Sequence, residues 1–149
     1  MHIPHNILIA TDLSEASMQA VDTGAALVEA LGSKVTLVCA FDPMQSMPLV
    51  DGPMLASNVW ADELDAIEDR IERALEKLRD EKLAGSGCDI VVRRDGSPGR
   101  AVADVAKEIN ADLVIVGSHG RTGVKRLLLG SVAEKIVRLC ECSVFVARL

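Results

Sequence analysis

The chain has 149 residues, a formal net charge of -6, 49% hydrophobic residues and only 2% aromatic ones. A chain of this length forms one domain that buries roughly 70% of its unfolded surface. The acidic balance and the lack of Tyr exclude a broad basic face for duplexes and an aromatic platform for single strands, so no nucleic-acid partner is expected.

Membrane association is not expected either, because no apolar run approaches the ~20 residues of a span. Met1 to Asn6 lacks the basic and apolar regions of a signal peptide, which points to a cytoplasmic protein.

His5 to Thr11 is a continuous apolar run, as expected of a strand buried on both faces. Asp12 stops it. Ser14 then caps a helix whose apolar positions Met18, Val21, Ala25 and Val28 recur at helical spacing, and Gly32 ends it. Val35 to Phe41 is the second strand, which makes the beginning a βαβ unit with parallel strands.

Asp42 to Ser57 contains Pro43, Pro48, Gly52 and Pro53 without any period and reads as a long loop, its Met44, Met47 and Met54 read as gap-filling residues in preference to a cover over a ligand or a partner surface. Asn58 to Leu83 is the longest helix, with Leu64, Ile67, Ile71, Leu75 and Leu78 on one face. Its nine acids and four bases between Trp60 and Glu81 read as a solvated surface.

Cys88 to Arg94 is the third strand. Ser97 and Pro98 then open a helix through Val102, Val105, Ala106 and Ile109, Pro98 being suited to the first helical position. Ala111 to Val116 is the fourth strand and Ser143 to Arg148 the fifth. The four cysteines read as small core residues kept reduced. Cys140 and Cys142, at a helix-to-strand junction, aim their side chains poorly for a metal, and no metal ligand is assigned.

Between the fourth and fifth strands the chain reads GSHGRTGVKRLLLGSVAEKIVR. Gly117, Gly120 and Gly123 lie in a polar loop, and Ser131 with Glu134 forms a capping-box pattern at the start of the last helix. Strand, glycine-rich loop and helix N-terminus in that order suit an anion, because backbone amides converge where no side chain intrudes. From Gly117 to Arg138 there are five Lys or Arg against one Glu, so a polyanion is the favoured ligand. A loop that merely reverses the chain is the other reading of the same residues. No Walker P-loop G-x-x-x-x-G-K-[ST] occurs.

Gly117, Gly120, Gly130 and Ser131 fit G-x2-G-x9-G-[ST], and with the opening ILIATDLSEAS the whole chain resembles the ATP-binding branch of the universal stress protein family. The resemblance, and not composition, implies ATP, with magnesium held mainly by phosphate oxygens and water. It implies that Asp12 accepts from the ribose or adenine side, that backbone at Ala40 and Phe41 meets the base, and that Val116 packs near the ribose. Amides of Gly117, His119 and Gly120 hold the phosphates, joined by Gly130, by the hydroxyl and amide of Ser131, and by the amide of Val132. Thr11, Ser118 and Arg121 complete the binding set.

The alternation of strands and helices predicts an α/β fold, a doubly wound five-stranded parallel sheet with helices on both faces. Order 3-2-1-4-5 brings Thr11 and Asp12 to the Gly117 loop, whereas 2-1-3-4-5 would bring them to Asp95 to Gly99. The first joins a polar acceptor to the basic loop and is the order of the resembled family, so it is the order expected. It leaves the strand at 143 to 148 as a bare apolar edge, and the resemblance implies a homodimer through it.

The expected function is a nucleotide-binding regulatory module acting on an unknown protein partner, with no catalytic residue assigned. An ATP-cleaving or adenylyl-transferring enzyme on this fold is the alternative, but neither SGG-x-D-S nor H-x-G-H is present. A dimer that binds no nucleotide is the remaining alternative.

Overall fold

A computed structural model describes residues 3–46, 57–119 and 129–148 of the protein. Five strands, β1 (Asn6–Ala10), β2 (Lys34–Phe41), β3 (Asp89–Arg94), β4 (Leu113–Gly117) and β5 (Ser143–Ala147), form one sheet in the order β3-β2-β1-β4-β5. Every neighbouring pair is parallel, with Ala10 level with Val38 on one side and Val116 on the other. The expected order is the observed one.

Helices cover both faces: α1 (Glu15–Leu31) and α3 (Ser57–Lys82) on one side, α4 (Pro98–Glu108) and α5 (Ser131–Leu139) on the other. Along β1 the pleat divides the residues: Ile7 and Ile9 join the core under α1 and α3, Leu8 and Ala10 the core under α4 and α5. All of Ile7, Leu8 and Ile9 are wholly buried, each contributing about 1.5–3 kcal/mol of transfer free energy. A strand buried on both faces cannot alternate polar and apolar residues, which is why it reads as a continuous apolar run.

Three local expectations change. Within the stretch read as a loop, Pro43–Ser46 forms a short helix, α2. Asp42 starts it: its Oδ1 accepts the Met44 amide at 2.9 Å, and its carbonyl accepts the amides of Gln45 at 3.2 Å and Ser46 at 3.1 Å. Met44 is 81% exposed and fills no gap, while Met47 and Met54 lie outside the described residues.

Ser131 is not the N-cap of α5. That position is Gly130 (φ -70, ψ 155), and the Glu134 amide donates to the Gly130 carbonyl at 2.8 Å, so the S-x-x-E spacing is no capping box here. Ser14 and Ser97 hold the N-cap positions of α1 and α4 without a side-chain cap bond. The acidic face of α3 supplies a clamp: Asp65 and Glu68 both accept from Arg94 at the end of β3.

Candidate functional site

The carboxyl ends of β1 and β4 are neighbours, yet the chain leaves β1 toward β2 and reaches β4 from the far side through α4, so their turns diverge and leave a crevice. A cavity of about 210 Å³ occupies it.

One wall is the turn after β1. Thr11 is buried, its amide donating to the Val38 carbonyl at 2.9 Å. The Thr11 oxygen accepts the Leu13 amide at 3.0 Å, and Leu13 has φ 64, a left-handed conformation that a bulky residue adopts only when its surroundings impose it. Asp12 faces the cavity, and its Oδ1 accepts the Ser14 amide at 3.0 Å and the Ser14 hydroxyl.

The opposite wall is the start of α5. Its first-turn amides have no intrahelical acceptor, and a glycine N-cap brings no side-chain oxygen to satisfy them. The Gly130 amide is itself engaged, donating to the Ser118 carbonyl at 2.7 Å, while the Ser118 amide donates to Ala147 at 2.8 Å. Gly130 therefore contributes an open approach to a ligand, and the amides of Ser131, Val132 and Ala133 are the donors that a helix start directs outward, with the helix dipole favouring an anion there. The Ser118 hydroxyl is 2.9 Å from His119 Nδ1, which fixes the imidazole at the rim.

Every residue expected at the site and lying among the described residues lines this one cavity: Thr11, Asp12, Ala40, Phe41, Val116, Gly117, Ser118, His119, Gly130, Ser131 and Val132. Gly120 and Arg121 lie outside the described residues. The sequence reading missed Asp42, Gln45 and Ser46, which come with α2, and Pro98 and Val102, which the start of α4 brings to the same end of the sheet. A proline at the first position of a helix following a strand was a usable signal that this helix too begins at the carboxyl edge. Among the described residues no group of three or more His, Cys, Asp or Glu is placed to hold a metal ion.

The fold and the crevice together define a doubly wound α/β protein with an open cavity at its topological switch point, where folds of this kind bind their ligands. The sequence model of the universal stress protein family matches residues 4–148, and the chain belongs to that family. A universal stress protein of Methanocaldococcus jannaschii is 29% identical over 144 residues, covering 95% of this chain and 81% of the relative.

Among solved structures, the universal stress protein UspA from Lactobacillus plantarum superposes with a TM-score of 0.76 at 24% identity, covering 96% of this chain and 97% of that one. A universal stress protein in complex with cAMP has a TM-score of 0.67 at 25% identity, covering 99% and 98%. One from Archaeoglobus fulgidus in complex with dAMP has a TM-score of 0.61 at 18% identity, covering 98% and 99%.

Proposed function

We propose that this chain binds ATP in the crevice between β1 and β4, as a cytoplasmic regulatory module that works as a homodimer and meets its protein partner differently when occupied and when empty. One observation carries the reading: an α5 N-terminus capped by glycine shares a cavity with the Asp12 carboxylate. The helix start supplies amide donors for phosphate, and Asp12 supplies the acceptor for a ribose hydroxyl or a base amine. Nucleotide complexes of two structural relatives support the ligand class, and the choice of ATP comes from the family resemblance that the G-x2-G-x9-G-[ST] motif carries.

The residues fit magnesium riding on phosphate oxygens and water, with Asp12 and Asp42 the carboxylates in the cavity wall. Binding rather than turnover is the proposed role, and among the described residues no helix is long and apolar enough to cross a membrane.

The test is calorimetric titration of ATP with magnesium into the parent protein and Gly130→Asp. The backbone at Gly130 is ordinary extended geometry that an aspartate adopts without strain, and a carboxylate at the N-cap is expected to cap the amides of the first turn and to add a few tenths of a kcal/mol of stability at most. Expected are an unchanged or slightly higher melting temperature and an ATP affinity at least about tenfold weaker, the loss of roughly one charge-assisted hydrogen bond. A parent that takes up no ATP, or a variant with the parent's affinity, ends this reading.

A further inference from the structure

The four cysteines of the described structure form no disulfide with one another, and of them Cys39 and Cys88 are buried. Cys140 and Cys142 are half-buried, at the junction where α5 gives way to β5. Cys140 is the C-cap of α5, with extended backbone (φ -69, ψ 136). Both side chains pack against the same core cluster under α4 and α5. The two thiols are near enough for each to influence the other's ionisation. Glu141, between them, is exposed and meets Lys107 at 3.3 Å.

A soft metal would need further ligands, and among the described residues no third His, Cys, Asp or Glu joins the two sulfurs. Two adjacent, partly accessible thiols have another chemistry. We propose that Cys140 and Cys142 form a redox pair that closes to an intramolecular disulfide by exchange with a low-molecular-weight disulfide of the glutathione type. One protein thiol gives its proton to solvent and attacks a sulfur of the small disulfide. That S–S bond breaks, one small thiolate leaves and takes up a proton, and a mixed disulfide remains on the protein.

The neighbouring thiol then loses its proton to solvent and attacks the protein-side sulfur, expelling the second small thiolate, which is protonated in turn. Two protein thiols are oxidised, and one small disulfide is reduced to two thiols. The ring so formed is small, and strained, accessible disulfides are the readily reduced ones, which makes the pair reversible. Burial pushes both thiols up, Cys140 to about 11, so exchange at neutral pH is slow and is followed over hours. The inference does not depend on the nucleotide reading.

Cleavage after Arg138 and Arg148 places both cysteines on one tryptic peptide, Leu139 to Arg148. The full-length protein is incubated with oxidised glutathione, blocked with an alkylating agent without denaturant, digested and weighed. Expected is that peptide lacking two hydrogens and resistant to alkylation, restored to the dithiol by dithiothreitol, while Cys39 and Cys88 remain unmodified in the still folded protein. In Cys142→Ser or Cys140→Ser, the remaining thiol is expected to retain one glutathione, because nothing resolves the mixed disulfide. The proposal is overturned if the parent peptide stays a dithiol, if it carries glutathione without closing, or if it closes only when Cys39 and Cys88 are modified too, which would signal unfolding.

Discussion

The hydroxyl of Thr11 lies 2.8 Å from that of Ser17, and their neighbours fix which one donates. Ser17 gives its hydrogen to the Ser14 carbonyl at 2.9 Å, so Thr11 donates to Ser17 while its oxygen accepts the Leu13 amide at 3.0 Å. One buried hydroxyl thus ties the end of β1 to the first turn of α1 and holds Leu13 in the conformation that turns Asp12 toward the cavity. Thr11→Val keeps the shape and deletes both bonds. It should cost about 1–3 kcal/mol, the penalty of leaving buried partners unsatisfied, and weaken ATP binding, whereas Thr11→Ser should retain most of both. Urea unfolding with parallel titrations measures this, and a valine variant as stable as the parent would refute the assigned network.

Much of the fold was legible because its signals are periodic. The apolar runs at 7 to 10 and 113 to 116 and the helical spacing from Leu64 to Leu78 exist only because those residues face the core. The cavity that forms the candidate site was legible because Gly117, Gly130 and Ser131 keep a fixed spacing and because the right sheet order brings Asp12 opposite them. What escaped was non-periodic or displaced by one residue. Helix α2 is too short for an apolar face and hangs on the Asp42 carboxylate. The capping box failed because a serine followed by a glutamate looks the same at the cap as at the first helical position, and the backbone chose Gly130 as cap. Nor does spacing reveal that the Gly130 amide is engaged by Ser118.

Helices α4 and α5 touch through Gly99, where an added Cβ would meet Lys135 Cβ at 2.8 Å and the Val132 carbonyl oxygen at 3.0 Å. Helix propensity alone says that Gly99→Ala should stabilise by up to about 1 kcal/mol. The obstacle includes main chain of α5, which cannot rotate aside, so the helices must separate. Overpacking of this kind costs about 1–3 kcal/mol, and a net destabilisation is expected in chemical unfolding. Since Val132 and Ser131 line the cavity proposed to hold ATP, the same variant should also weaken ATP binding. A gain in stability would show that α5 moves freely against α4.

The Cys88 thiol sets a limit at alkaline pH. Burial raises it from the ordinary value of 9.0 to about 11, outweighing the opposing influence of the Leu37 backbone and Arg79. With the folded value above the unfolded one, the unfolded chain loses its proton first, so this contribution to stability is whole below pH 9 and is lost between about 9 and 11. Cys140, raised to about 11 by burial, acts in the same direction. Unfolding free energies should fall across that interval, and Cys88→Ala, although destabilised by its cavity, should fall less steeply. Equal slopes in parent and variant would show that another group governs the decline.

The two sheet edges differ in a way that bears on assembly. Edge strand β3 carries Asp89, Arg93 and Arg94, with Arg93 paired to Glu108 and Arg94 to the acids of α3, so charge blunts it. Edge strand β5 has no charged residue from Ser143 to Ala147, and its Phe145 is 44% exposed. Val137 and Leu139 are further exposed apolar residues, on α5. An unpaired apolar edge of this kind is closed isologously when two copies pair it antiparallel, which satisfies the free backbone groups and buries Phe145 in one step. Light scattering at micromolar concentration should give twice the mass of the chain. Phe145→Asp, at a position already open to solvent in the single chain, should give a folded monomer with an unchanged circular dichroism spectrum. A monomeric parent, or a variant that still dimerises, would remove β5 from the interface.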